Sequence, residues 1–378
     1  MDQINIYSAD EIISRIIVED GIEALEACLE SYSAVYVVMD SNVAMKCPVA
    51  YEISQMLNRR GIPGMLIQVS EENKSMESVM EICGWLLDNG ADRDALVLAV
   101  GGGVTTDIVG FAAGIYKRGV RFAYVPTTLL AQVDAAVGGK TGINFGGYKN
   151  MLGTIRQPEF TYICPKVLES LPMEDFQSGA AEMLKTFMIE DEGNYAAAVR
   201  FLKELANDFI ASCEGATLSD NEEHWPEILS GRLRDMMPLI AAAVRVKAGI
   251  VSRDQYENGE RRKLNLGHTF AHAIEALAHK HHNDMDHGHA VALGIVYAAR
   301  LAEKSGLAMP GFTQEVEKDF DDCLLLIFNP YSIQDMSDAM TKDKKAEDGK
   351  VHFILPRAIG DVVVHDMTVE EVVSLLED

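Results

Sequence analysis

The chain has 378 residues, more than a single hydrophobic core usually serves, which predicts about two domains. Hydrophobic residues make up 48% and charged residues 24%, a globular composition that excludes disordered, collagen-like and low-complexity classes. With 33 Lys+Arg against 58 Asp+Glu the formal net charge is -25, a field that opposes nucleic acid and anionic lipid, so neither is an expected partner.

Read in chain order, Ala34–Met39, Met65–Val69 and Ala95–Val100 are short β-branched runs with strand character, while Ser75–Leu87 and Thr105–Tyr116 have helical spacing. This alternation predicts parallel βαβ units. The first and third strands run into Asp40-Ser41-Asn42 and Gly101-Gly102-Gly103, where open α/β sheets place their ligand crevice, so a nucleotide site is expected there. Gly138–Gly153 carries six glycines with Lys140, Lys149 and Asn150, too many for a regular element and suited to close approach of backbone to a ligand. From Glu174 the pattern turns helical, with Tyr195–Ile210, Met236–Arg253, His268–Ala278 and Val291–Lys304, and strand character returns at Val351–Leu355. The acidic stretch Asp220–Glu223 reads as a solvated loop. The predicted domains are 1–173 and 174–378.

No apolar run reaches the roughly 18 residues of a membrane span, and Met1-Asp2-Gln3 lacks the basic start and apolar stretch of a signal peptide, so a cytoplasmic location is expected. The six cysteines, Cys28, Cys47, Cys83, Cys164, Cys213 and Cys323, are scattered and read as buried thiols.

Three groups of residues suit chemistry. Gly101-Gly102-Gly103-Val104-Thr105-Thr106-Asp107 lies between a strand and a helix, where backbone N–H groups and a helix N-terminus can meet a pyrophosphate. It is not G-x-G-x-x-G, and taken alone it reads equally as a structural turn. Seven of the ten histidines, His268, His272, His279, His281, His282, His287 and His289, fall within 22 residues. His268 and His272 share a helix face and His287 and His289 open the next helix, an arrangement suited to Zn²⁺ or Co²⁺. His279, His281 and His282 read as an exposed loop. Glu182, in the small and apolar stretch Gly179–Lys185, is the candidate carboxylate, since a buried charge needs a partner. Finally, Arg118, Lys140, Lys149, Lys185, Lys247, Arg261, Lys344 and Lys345 sit beside glycines, amides or the histidines. Each alone reads as solvent-facing, and together they form a local basic pocket for an anionic small molecule.

These segments resemble the 3-dehydroquinate synthases of the sugar phosphate cyclase superfamily. The resemblance covers nearly the whole chain through GGGVTTDIVGFAAGIYKRG, VPTTLLAQVDAAVGGKTGIN, YKNMLG, GAAEMLK, ENGERRKLNLGHTFAHAIE, HGHAVALG and DKK. It implies an α/β plus all-α fold, with an N-terminal Rossmann-like dinucleotide-binding domain, a C-terminal mainly α-helical domain and the active site in the cleft between them. It further implies Glu182, His268 and His287 as ligands of one divalent ion, Zn or Co, with His272 in the substrate pocket instead of on the metal. The implied substrate residues are Lys185, Lys247, Arg261, Asn265, His272, Arg118, Lys140, Asn150 and one of Lys344 or Lys345. NAD would lie along Asp40, Asn42, Glu71, Lys74, Gly102, Gly103, Asp107, Thr127, Thr128, Asp134, Lys140, Lys149, Ser170 and Leu171. Tyr148, Ala271, Ser170 and His289 stand where the family often has Gly, Gly, Thr and Glu; His289 is expected to face outward or to lie behind the ligands.

The resemblance implies conversion of 3-deoxy-D-arabino-heptulosonate 7-phosphate to 3-dehydroquinate and phosphate by transient oxidation, phosphate elimination, re-reduction and intramolecular aldol closure, in a homodimer. The alternatives are another sugar phosphate cyclase or a metal-dependent polyol dehydrogenase of the glycerol type. The many pocket cations, which a neutral polyol does not need, argue against the latter.

Overall fold

The computed structural model describes residues 2–213, 223–283, 285–341, 346–347 and 350–377. Internal contacts divide the chain into two units, Met1–Pro172 with Pro226–Tyr256 and Met173–Trp225 with Glu257–Asp378.

The first unit opens with an antiparallel pair, β1 (Asp2–Ser8) and β2 (Glu11–Val18). It continues through α1 (Glu23–Leu29), β3 (Val35–Asp40), α2 (Ser41–Lys46), α3 (Pro48–Arg59), β4 (Gly64–Ile67), α4 (Met76–Asp88), β5 (Leu96–Gly101) and α5 (Gly103–Ile115). Then come β6 (Arg121–Pro126), β7 (Lys140–Phe145), β8 (Tyr148–Ile155) and β9 (Phe160–Ile163). Seven strands form one sheet in the order β1-β2-β9-β6-β5-β3-β4, parallel except for β1. Every residue of β3, β5 and β9 is buried, as expected of largely apolar strands in a sheet covered on both faces. Val79, Ile82 and Leu86 of α4 and Ile108, Val109, Ala112 and Ala113 of α5 pack with Tyr36, Val38, Val97, Ala99 and Phe122, each large side chain adding about 1.5–3 kcal/mol by leaving water.

The sheet order locates the ligand crevice. From β3 the chain steps to β4 on one side, whereas β5 lands on the other side of β3 and β6 lies beyond it. The direction of winding therefore reverses between β3 and β5, whose carboxyl ends carry Asp40 and Gly101-Gly102.

Residues 138–153, which the sequence predicts to be irregular, contain a hairpin of β7 and β8. Gly146 and Gly147 have φ of 61° and 81° and form the two-residue turn between the paired Phe145 and Tyr148. Gly142 lies opposite Gly153, where the backbones approach so closely that a Cβ on Gly153 would fall 2.0 Å from the Thr141 carbonyl oxygen.

The second unit begins with α6 (Met173–Glu190) and α7 (Glu192–Ser212). The next helix, α8 (Trp225–Arg253), belongs to this unit only at Trp225, whose ring meets Phe176 and Phe209 edge-on at 5.0 and 6.0 Å. The sequence predicts residues 226–256 in the helical domain; they group instead with the sheet unit. Ser252 Oγ accepts from the Tyr7 N–H at 3.0 Å, Arg245 pairs with Asp2, and Lys247 pairs with Asp134. The second unit resumes with a 3-10 turn at Glu260–Asn265, then α9 (His268–His281), α10 (His287–Lys304), α11 (Phe312–Asp322) and α12 (Ile333–Thr341). A small antiparallel sheet, β10 (Ala346–Glu347), β11 (Lys350–Ala358) and β12 (Asp361–Met367), and α13 (Val369–Leu376) complete it.

All six cysteines are free thiols, with Cys28 and Cys83 only half-buried. No helix among the described residues is long and apolar enough to cross a membrane. Residues 220–222 of the acidic stretch lie outside the described residues.

Candidate active site

In the second unit α6 carries Glu182 and Lys185 one turn apart, each 1% exposed and paired with the other. His268 and His287 are the first residues of α9 and α10. The start of α10 is fixed by Asp286, whose carboxylate accepts from the N–H groups of Gly288 at 2.8 Å and His289 at 3.2 Å. Close packing then brings the two histidines to Glu182. A Cβ on Gly288 would fall 2.1 Å from Ser178 Cα on α6, and one on Gly294 would fall 2.2 Å from the carbonyl oxygen of Gly267, which caps α9.

The Nε2 atoms of His268 and His287 lie 3.6 and 3.3 Å from Glu182 Oε1. One ligand atom from each of the three residues lies within 4.8 Å of the others, the one such group among the described residues. The opposite ring nitrogens face acceptors: His268 Nδ1 is 3.2 Å from the Leu266 carbonyl oxygen, and His287 Nδ1 is 3.5 Å from Glu275 Oε1. His272 is not in the group. Its ring stands nearly perpendicular to that of His268, with centroids 5.5 Å apart, so helix spacing makes the two neighbours without bringing His272 into the group. His289 is buried, with Nδ1 paired to Asp286, and does not face outward.

The three groups are shifted in different directions. Burial pushes the Glu182 carboxyl up, but Lys185, with His287 and His268, more than offsets this and holds it well below the usual carboxylate range. Burial and then the Lys185 charge hold His268 well below its ordinary value, leaving a neutral imidazole. Burial alone would lower His287, yet its hydrogen bonds to Glu182 and Glu275 raise it to about 10. A carboxylate oxygen and two imidazole nitrogens form a donor set that a borderline divalent cation takes.

Nearby, Arg261 is buried within the Glu260–Asn265 turn. Asn265 Nδ2 donates to Glu257 Oε1 at 2.7 Å and to the Arg262 carbonyl at 3.2 Å, and Glu257 itself has a φ of 60°. Lys344 and Lys345 lie outside the described residues.

In the first unit Asp40 caps α2 at the end of β3, its carboxylate accepting from the Asn42 N–H at 2.8 Å, and burial pushes its carboxyl up. Gly102 begins α5 with no side-chain cap, and a Cβ there would lie 3.0 Å from Thr128 Cγ2. A helix N-terminus without a side-chain cap leaves backbone N–H groups of the kind that meet a ligand phosphate. Thr127 N–H donates to the Gly101 carbonyl at 3.0 Å, while the buried Thr127 hydroxyl has no hydrogen-bond partner among the described residues. Lys74, 5% exposed, donates to Asp107 Oδ2 and Asn150 Oδ1, both at 2.6 Å. Burial pushes the Asp107 carboxyl up, with Lys74 opposing.

Asn144 ties Glu71 to the hairpin, donating to Glu71 Oε1 at 2.8 Å and accepting from the Asn150 N–H at 2.9 Å. Asp134 sits on a π-helical turn at Ala131–Ala135 and pairs with Lys247. Asn150 and Lys247, read from the resemblance as substrate residues, thus contact the dinucleotide set. Arg118, Lys140 and Lys149 are exposed, and Arg118 has a φ of 70°. Ser170 and Leu171 end the 3-10 turn at Pro165–Ser170.

Three residues with evident contacts are missing from the sequence reading: Glu275, Glu257 and Asn144. Glu275 is seven residues from His268, two turns on and on the same face, and that spacing was the available signal. Nothing in the spacing of Glu257 or Asn144 marks their partners.

The first unit has a parallel sheet with a glycine turn beside its switch point, and in the second two half-buried histidines meet the buried Glu182, a plan shared with the sugar phosphate cyclases. Across 98% of both chains the structure superposes, with a TM-score of 0.78 and 28% identity, on 2-epi-5-epi-valiolone synthase from Streptomyces hygroscopicus, solved with NAD⁺ and Zn²⁺ bound. The chain is 38% identical to a 3-dehydroquinate synthase of Acidithiobacillus ferrooxidans, over 90% of this chain and 87% of that one. It is 37% identical to a 3-dehydroquinate synthase of Alkaliphilus metalliredigens, over 86% and 85%. Residues 64–178 match the family 3-dehydroquinate synthase N-terminal and residues 179–346 match 3-dehydroquinate synthase C-terminal. The chain belongs to the 3-dehydroquinate synthase family.

Proposed function

We propose that this chain converts 3-deoxy-D-arabino-heptulosonate 7-phosphate to 3-dehydroquinate and inorganic phosphate, using NAD⁺ and one divalent metal ion, Zn²⁺ or Co²⁺. The observation that carries the reading is the convergence of His268 and His287 Nε2 on the buried Glu182 carboxylate. Those three residues would hold the metal, and the residues around Asp40, Gly102, Gly103 and Asp107 would hold NAD⁺ at the switch point. When bound, the metal supplies Lewis acidity toward a substrate hydroxyl and NAD⁺ supplies a hydride acceptor that is regenerated within the cycle.

The chain's own residues have distinct tasks in this reading. Lys185 offsets the Glu182 charge, so that the buried carboxylate stays ionised. Lys247 and Arg261 meet the substrate carboxylate or hydroxyls, Arg261 with its bidentate fork, and Arg118, Lys140 and Asn150 meet its phosphate. Asn265, held by Glu257, points its amide from a fixed position. His272 beside His268 acts as a proton relay. The reading extends to a homodimer in the cytoplasm, with subunit number measurable by sedimentation of the pure protein.

A bacterium lacking this step and requiring aromatic amino acids tests the proposal. Expression of the chain should restore growth without them, and expression of the His268→Ala variant should not; failure of the wild-type chain, stably expressed, contradicts the assigned substrate.

A further inference from the structure

We propose that Glu275 is a positioning residue for His287: with a metal bound, its carboxylate accepts the one remaining imidazole proton at Nδ1, which leaves Nε2 as the lone-pair donor on the side of Glu182 and His268. This inference rests on the metal reading of that group.

The two imidazoles are oriented from behind in different ways. Both turn Nε2 toward Glu182 Oε1; as metal ligands both would give up any proton there and keep one on Nδ1, where an acceptor must hold it. For His268 the acceptor is the neutral carbonyl of Leu266, two residues earlier in the chain. For His287 it is an anion, Glu275, whose side chain is only 13% exposed and whose Oε1 lies 3.5 Å from Nδ1. A carboxylate behind an imidazole fixes the tautomer and ring plane and makes the far nitrogen a stronger donor.

The fold gives this contact a clear origin. Glu275 is two helical turns after His268 on α9, and His287 is the first residue of α10, which packs on α9 without room for a side chain at Gly294. One helix thus supplies a candidate ligand at its start and the support for a second candidate further along. Glu275 also adds a negative charge near the group, alongside Glu182 and opposite Lys185.

The test is metal binding by the full-length, metal-stripped protein, read by competition with a chromophoric chelator for Zn²⁺ and by the visible spectrum of bound Co²⁺. Glu275→Gln keeps the shape and removes the charge, and Glu275→Ala removes the contact. Both should bind metal about 10–100-fold more weakly than wild type, with an altered Co²⁺ spectrum, an unchanged thermal midpoint of the stripped protein and a partial return of affinity in Glu275→Asp. Wild-type affinity and spectrum in both variants would overturn the role of Glu275.

If the wild type binds no stoichiometric metal, or His268→Ala binds it as tightly, the metal reading itself fails and Glu275 falls with it. A measurement that needs no variant is the nitrogen resonance pattern of His287 in the Zn²⁺-loaded wild type. A proton on Nδ1 is expected there, and a proton on Nε2 would refute the proposal.

Discussion

Lys247 and Asp134, 113 residues apart in the chain, are joined twice: the Lys247 ammonium donates to the Asp134 carbonyl oxygen at 2.7 Å and also to its carboxylate. The pair ties α8 to the π-helical turn that follows β6, within the same unit.

Replacing Lys247 by Met removes a cation assigned to the substrate and leaves the Asp134 charge without this partner. We expect kcat/KM to fall about 10²-fold, equivalent to about 2.7 kcal/mol of transition-state stabilisation. Adding Asp134→Asn should recover thermal stability without recovering turnover. Full turnover in Lys247→Met would remove that residue from the substrate set.

Lys74 is the shared donor to Asp107 and Asn150. Burial raises the Asp107 carboxyl even with Lys74 beside it, so the folded state holds that proton more tightly than the unfolded chain. Its contribution to stability is therefore most favourable below the ordinary carboxylate value near about 3.9 and is lost as pH rises through the raised folded value. Lys74→Met raises Asp107 further, so the destabilisation relative to wild type, about 1–3 kcal/mol at neutrality, should shrink as pH falls toward about 4. Asp107→Asn in that background should restore part of it. Urea unfolding at several pH values reads this directly, and a pH-independent loss would contradict it.

Gly288 has no room for a methyl group, since a Cβ would fall 2.1 Å from Ser178 Cα. Gly288→Ala should force α10 away from α6, lower stability by about 1–3 kcal/mol and weaken divalent-metal binding through displacement of His287. Calorimetry and chelator competition on the one variant check both effects, and an unchanged variant would show that this packing does not set the site.

Much of this architecture is legible in the residues. Continuous apolar runs, Val-Tyr-Val-Val-Met at 35–39 and Leu-Val-Leu-Ala-Val at 96–100, identify strands covered on both faces, and the glycines after Val100 mark the strand-to-helix turn. The hairpin at 140–155 escapes because glycine density reads as irregularity; its two turn glycines and the Gly142–Gly153 pair make sense only once opposite strands are known.

Residues 226–256 look like any other helix, and only long-range contacts to Asp2, Tyr7 and Asp134 place them with the sheet. In the candidate site the histidine cluster is conspicuous, but four-residue spacing favours His268 with His272. The third member of the group, Glu182, lies 86 residues before His268, and no local pattern can measure that distance. Glu275 is hidden for the same reason, since its partner lies on another helix.

The central claim is an internal redox cycle on a sugar phosphate, and it is tested most directly in one cuvette. Pure, metal-loaded protein is given the heptulosonate phosphate with NAD⁺ below the substrate concentration, while phosphate release and NADH absorbance are followed together. The account predicts many equivalents of phosphate per NAD⁺ with no net NADH. Phosphate limited to one equivalent per NAD⁺, or NADH that accumulates with a polyol while no phosphate appears, would contradict it.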